Sequence, residues 1–122
     1  MNFRLKTSAH TGELLQELQR RTGLRWNALA RLAVAYSLQH PTEPVAVEDT
    51  KGVEIHRNAL TGEHDYVYKA LIRQHAGRQI PEEEYFPDYF NAHIERGINE
   101  LYSDYQLAGN IDQWRETVLK EL

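Results

Sequence analysis

The sequence contains no cysteine. That excludes disulfides, thiolate metal centres and a cysteine nucleophile together. Its longest apolar runs are only a few residues, too short for a membrane-spanning helix. The opening stretch Met1–Lys6 places charges with no apolar segment behind them, so a cytoplasmic location is expected. A glycine-rich phosphate loop, a nucleophile elbow, internal repeats and low-complexity segments are also missing. What remains is a chain of 122 residues, 41% hydrophobic and 26% charged, which suits one globular domain over 1–122 with its own core.

Charge is present but unevenly placed. Residues 1–40 hold six basic side chains (Arg4, Lys6, Arg20, Arg21, Arg25 and Arg31) against Glu13 and Glu17, a local balance of +4. Residues 41–122 hold 8 basic against 16 acidic residues, a balance of −8. The net −4 would argue against a nucleic-acid partner. Phosphate contacts depend on a local basic face, however, so the N-terminal part keeps that possibility open.

Patterning divides the chain into a basic strand-helix-helix part (1–40), a connector (41–60) and an acidic helical part (61–122). Phe3, Leu5 and Thr7 alternate with Asn2, Arg4 and Lys6, which predicts a short strand over 2–7 with one apolar and one polar, mainly basic face. Ser8 is the expected N-cap, with Thr11 a second candidate, for a helix over Ala9–Thr22 that carries Leu14, Leu15 and Leu18 on one stripe. Gly23 is placed to stop it. A second helix runs from about Leu24, through Trp26, Leu29, Ala30 and Ala33, to His40-Pro41.

In the connector, Pro41, Pro44 and Gly52 break helices, and Val45-Ala46-Val47 and Val53-Glu54-Ile55 are candidate extended pieces. Thr61-Gly62-Glu63 opens a third helix whose inner face is predicted to hold Val67, Ala70, Leu71 and Gln74. A polar turn around Pro81 precedes a fourth helix from near Pro87, with Phe90, Ile94, Ile98, Leu101 and Tyr105 as its stripe. Asn110 and Gln113 resemble a capping box for a last helix that buries Ile111, Trp114, Val118 and Leu122. The expected fold class is mainly α, with a ribbon-helix-helix-like start and further packed helices.

A lone short strand needs a partner. The ribbon-helix-helix solution pairs the N-terminal strands of two chains into an antiparallel ribbon, which fits the major groove. Asn2, Arg4 and Lys6 would then face the bases or phosphates. The plainer reading of Arg4 and Lys6 is a solvated outer strand face. Arg20, Arg21, Arg25 and Arg31 gather around the Gly23 turn, where helix ends and cations can clamp a phosphate. Alternatively Glu17 pairs Arg20 or Arg21 along the first helix, leaving Arg25 the freer residue.

None of the six histidines stands at the spacing of a helical zinc motif, and no metal or cofactor is expected. His93 lies beside the Phe90/Ile94 stripe and reads as a packing residue. Glu63-His64-Asp65 is the densest titratable cluster, but sequential residues spread around a helix axis. Tyr85, Phe86, Tyr89 and Phe90 could stack bases, yet Glu82, Glu83, Glu84 and Asp88 surround them, which favours core or interface packing.

Three stretches carry a family likeness. Arg21-Thr22-Gly23-Leu24 leads through Asn27 to Leu29-Ala30-Arg31-Leu32-Ala33 and Ser37-Leu38; Leu60-Thr61-Gly62-Glu63-His64-Asp65 precedes Ala70-Leu71-Ile72; and His93-Ile94-Glu95-Arg96-Gly97-Ile98-Asn99 follows. In these the chain resembles the DndE family of bacterial DNA sulfur modification proteins. The resemblance implies a small accessory component of the system that replaces a non-bridging phosphate oxygen of DNA with sulfur. It implies duplex binding with a preference for nicked DNA, a homo-oligomer (tetramer, or dimer), and work beside a cysteine desulfurase and ATP-using partners. It brings no catalytic residues. The expectation is therefore a non-enzymatic DNA-binding subunit with Arg4, Lys6, Arg20, Arg21, Arg25 and Arg31 as phosphate contacts. Its rivals are a ribbon-helix-helix repressor or antitoxin, a protein–protein scaffold that never touches DNA, and a nickase built on Glu63, His64 and Asp65.

Overall fold

The structure, a computed structural model, describes residues 3–121. Asn2, assigned above to the outward strand face, and Leu122, assigned to the inner edge of the last helix, lie outside the described residues. The elements run β1 (Arg4–Lys6), α1 (Ala9–Thr22), α2 (Trp26–Leu38), β2 (Glu54–His56), the single turn α3 (Arg57–Leu60), a 3-10 turn (Gly62–His64), α4 (Asp65–Ala76), a wide turn (Glu84–Tyr89), α5 (Phe90–Leu107) and α6 (Ile111–Glu121). The fold is mainly helical with one two-stranded sheet.

The expected boundaries of α1 are those observed. Ser8 caps it through Oγ, which accepts from the Thr11 amide at 3.1 Å, and Gly23 ends it in the left-handed region at φ 80°. The first turn of α1 contains no acidic residue of its own, and two distant carboxylates supply the charge its positive end favours. Asp49 accepts from the Ala9 amide at 3.0 Å, and Glu95 accepts from the hydroxyls of Ser8 and Thr11.

The ribbon differs from the expectation. β1 pairs antiparallel with β2 of the same chain, in the register Arg4↔His56, Leu5↔Ile55 and Lys6↔Glu54. The predicted extended piece 53–55 supplies this strand, whereas Val45-Ala46-Val47 stays irregular. Gly52 lets the loop come in close: its amide bonds the Thr7 carbonyl at 2.8 Å, and a Cβ there would lie 2.0 Å from the Ser8 carbonyl oxygen.

Helices α2 and α5 cross at the centre of the molecule. A Cβ on Gly97 would sit 1.7 Å from the Ala33 carbonyl oxygen, so the two backbones touch directly. Around this point Leu29, Ala30, Ala33, Phe90, Ile94, Ile98 and Leu101 are buried. Phe86 breaks the helical path with extended φ −135° and ψ 125°, after which Pro87 leads into α5 as expected. α6 packs Trp114 and Val118 inward, and Asn110 Oδ1 caps it by accepting from the Gln113 amide at 2.9 Å.

α4 corrects one predicted face. Val67 and Leu71 are 39% and 43% exposed, Ala70 and Gln74 also face out, and the buried residue is Ile72, flanked by Tyr68 and Ala76. The i, i+4, i+8 row Tyr68/Ile72/Ala76 and the row through Val67 and Leu71 are both apolar, so periodicity alone does not choose between them. The tie is broken by Asp65, which is drawn to Arg57 and sets the rotation of the helix. Arg57 Nε and Nη2 donate to the two Asp65 carboxylate oxygens at 2.9 and 2.7 Å.

His93 is fully buried, as a packing residue. Arg96 donates through Nε to Ser37 Oγ at 2.8 Å, which leaves the Ser37 hydroxyl proton for His93 Nδ1, also at 2.8 Å, and the imidazole's own proton on Nε2. Burial, reinforced by the neighbouring His75 and the Arg96 guanidinium, pushes the His93 pKa down to about 3.

Two outcomes test this packing. Gly97→Ala forces a methyl into the Ala33 backbone and is expected to lower unfolding free energy by about 3 kcal/mol or more, against about 1 kcal/mol for Gly23→Ala. Equal urea midpoints for the two variants would contradict the backbone contact. Below the ordinary histidine value of 6.5 the unfolded chain takes up a proton that folded His93 refuses. Stability is therefore full above pH 6.5 and falls between pH 6.5 and about 3. In His93→Gln that slope should flatten in urea titrations run across the window, and an unchanged slope would assign it to other groups.

Candidate nucleic-acid interface

The six cations proposed as contacts separate into three places. Arg20, Arg21 and Arg25 lie exposed at the α1–α2 corner, on either side of Gly23. The corner is stiffened from within: Gln19 Oε1 accepts from the Trp26 amide at 2.8 Å, and Thr22 Oγ1 accepts from the Leu24 amide at 3.2 Å. Arg21 Nε meets Glu17 Oε1 at 3.3 Å, the i, i+4 pairing that the sequence allows. Glu17 also accepts the Tyr102 hydroxyl, and this bond first, then Arg21, holds its carboxyl below the ordinary range. Arg25 occupies the N-cap of α2 with no side-chain ion pair among the described residues. Two guanidinium groups and one weakly paired one thus project from a single rigid turn.

Arg4 and Lys6 lie elsewhere. α1 is 14 residues long and so spans about 21 Å, and the strand sits at its opposite end. Both side chains are exposed on the outer face of the ribbon, while Leu5 and Ile55 are buried beneath. Asn91 Nδ2 donates to the Lys6 carbonyl at 3.0 Å and fixes the strand to α5.

Arg31 is in a third position. It leaves the middle of α2 and donates through Nη1 to the carbonyls of Ala59 and Leu60, at 3.2 and 3.0 Å, tying α2 to α3. Its position about one and a half turns into the helix, with its guanidinium bonded to α3, sets it apart from the corner that its place in the sequence suggested.

The trio of the nickase rival does not converge. Asp65 is held by Arg57 and by the Thr61 hydroxyl at 2.7 Å; burial alone would raise its pKa, but these partners keep it below the ordinary carboxylate range. Arg57 also meets Glu82 at 2.7 Å, and Lys69 closes the network on Glu82. Glu63 and His64 point to solvent, 3.7 Å from one another. No group of three or more metal-ligating side chains occurs among the described residues. Nor is any of their helices long and apolar enough to cross a membrane. The aromatic group packs inward, with Tyr85, Phe86 and Phe90 buried, their ring centroids 5.8 to 6.3 Å apart.

Two residues escaped the sequence reading of the ribbon. Glu54 and His56 stand beside Arg4 and Lys6 on the outward face. Their signal was the alternation Val53-Glu54-Ile55, which gives a strand but not its partner.

The described residues thus form a mainly helical fold that carries a short two-stranded ribbon and an exposed arginine corner. The comparison with known families is specific. A family model described as DNA sulphur modification protein DndE matches residues 4–109, and the chain belongs to that family. Among solved structures the chain is similar to DndE from Escherichia coli B7A, described as involved in DNA phosphorothioation modification. The two share 22% identity with a TM-score of 0.65, over 80% of this chain and 96% of that one. It is also similar to a glycine-to-lysine mutant of DndE involved in DNA phosphorothioation, at 20% identity and TM-score 0.65, over 84% of this chain and 99% of that one. These two likenesses establish the fold. No curated protein matches the chain in sequence.

Proposed function

We propose that this chain is a non-catalytic DNA-binding subunit of a DNA phosphorothioation system, working in the cytoplasm as a homo-oligomer, with a tetramer favoured. It captures the duplex backbone electrostatically, prefers nicked DNA, and docks other proteins of the modification system. The observation that carries this reading is the corner of Arg20, Arg21 and Arg25, exposed on a rigid turn of an otherwise acidic chain. Backbone capture needs only such a cationic face, since phosphates carry charge and no sequence information. Family membership supports the pathway. The nick preference and the tetramer follow from the resemblance, and the outward row of Tyr66, Val67 and Leu71 on α4 offers apolar area for assembly.

Gel shifts with intact and nicked duplex at two salt concentrations test the proposal. Replacing Arg20, Arg21 and Arg25 with alanine is expected to weaken binding at least tenfold. It should also make the log–log salt slope shallower by about 0.9 for each phosphate interaction removed. Arg31→Ala should lower stability by about 1–2 kcal/mol and leave that slope unchanged. Binding that survives the triple change intact, or that demands a palindromic site, would contradict the reading.

A further inference from the structure

The outward face of the ribbon is a small electrostatic unit. Its register sets Arg4 opposite His56 and Lys6 opposite Glu54, with opposed Cβ atoms about 5 Å apart. All four side chains leave the same face, because Leu5 and Ile55 between them are buried on the other. Three of the four are basic residue types, and the fourth, Glu54, reaches both neighbours at one end. Its Oε1 lies 3.9 Å from Arg4 Nη1 and its Oε2 lies 3.9 Å from His56 Nε2. The side chains of Arg4 and His56 are 65% and 60% exposed, and Glu54 is 36% exposed. Exposed contacts this long add little to stability, so the fold does not need Glu54 to be acidic. Its consequence is for the potential of the face.

A carboxylate held between an arginine and a histidine occupies the place a phosphate group would take. It offers two oxygens and one negative charge to the same donors. A two-stranded antiparallel ribbon also has the width to enter a major groove and lay its outer side chains along the backbone. The chain makes this ribbon from its own two strands, so the surface requires no second copy.

We infer that the β1–β2 face is a second phosphate-binding surface for duplex DNA, in which His56 joins Arg4 and Lys6 and Glu54 acts as an internal phosphate mimic that DNA must displace. Glu54 thereby restrains affinity on this face, while the arginine corner, about 20 Å away at the other end of α1, supplies the basal grip. The inference rests on the DNA-binding reading and adds a residue whose removal strengthens binding.

The test is a comparison of Glu54→Gln with the unaltered chain, by fluorescence anisotropy of a labelled mixed-sequence duplex across a salt series. One unit charge about 4 Å from a phosphate in water corresponds to about a fivefold change in affinity. Glu54→Gln should therefore bind about fivefold more tightly at low salt, and the gain should shrink as salt rises. Glu116→Gln makes the same change in net charge on the exposed face of α6 and should leave affinity unchanged. Adding Arg4→Ala or His56→Ala to Glu54→Gln should abolish the gain. Equal or weaker binding by Glu54→Gln, beside normal binding by the unaltered chain, overturns the inference and spares the DNA-binding reading. So does an equal gain from Glu116→Gln, or a gain confined to an RNA duplex. Absence of duplex binding by the unaltered chain overturns both.

Discussion

The contact on which the structure depends is the meeting of Gly97 with the Ala33 carbonyl, where α5 lies directly on the backbone of α2. Any side chain at 97 would hold the helices apart and open the core lined by Leu29, Ile94, Ile98 and Leu101. Close approach brings a further benefit. With the axes this near, polar side chains on either side of Gly97 reach the ends of other elements. Glu95 reaches the first turn of α1, and Arg96 reaches the last turn of α2 through the Ser37 carbonyl at 2.8 Å and the connector through the Thr42 carbonyl at 2.8 Å. Asn99 Oδ1 meets His10 Nε2 at 3.0 Å. The stretch His93–Asn99 is therefore a clasp that gathers three segments onto one helix.

This explains why the stretches that carry the family likeness are rich in charged and polar residues. Several of their charged and polar groups are taken up by the fold, while Arg21, Glu63 and His64 stay exposed. Asp65 turns inward to Arg57, Thr61 bonds back to the Arg57 carbonyl at 3.1 Å, and Thr22 bonds the Leu18 carbonyl at 2.6 Å. The side chains available to a polyanion lie outside these structural links, at the α1–α2 corner and on the ribbon. Under the proposed function that separation lets surface cations engage DNA without disturbing the buried network.

Helix boundaries were legible where a local signal sufficed. Ser8 and Gly23 bracket α1 by capping chemistry that needs no tertiary partner, and Asn110 marks the start of α6 in the same way. The partner of β1 was not legible, because a strand records which face is apolar and not which segment completes it. The inner face of α4 escaped for a related reason: two apolar rows compete on that helix, and an ion pair from Asp65 back to Arg57 in the preceding turn chooses between them. Of the candidate site, the corner arginines could be read from their clustering in the chain. Arg31 could not be separated from them, since only the path of α2 shows that it reaches the carbonyls after β2. Glu54 and His56 joined the surface only once the register was known.

DNA capture is on this view a property of two basic surfaces at opposite ends of α1, with the acidic helices turned away from the duplex. Hydrogen–deuterium exchange of the chain with and without nicked duplex tests that claim most directly. Protection on DNA addition should appear in peptides covering the α1–α2 corner around Gly23 and the β1–β2 ribbon. Exchange over α6 should be unchanged. Protection confined to α4 and α6, or no protection while DNA is demonstrably bound, would contradict it.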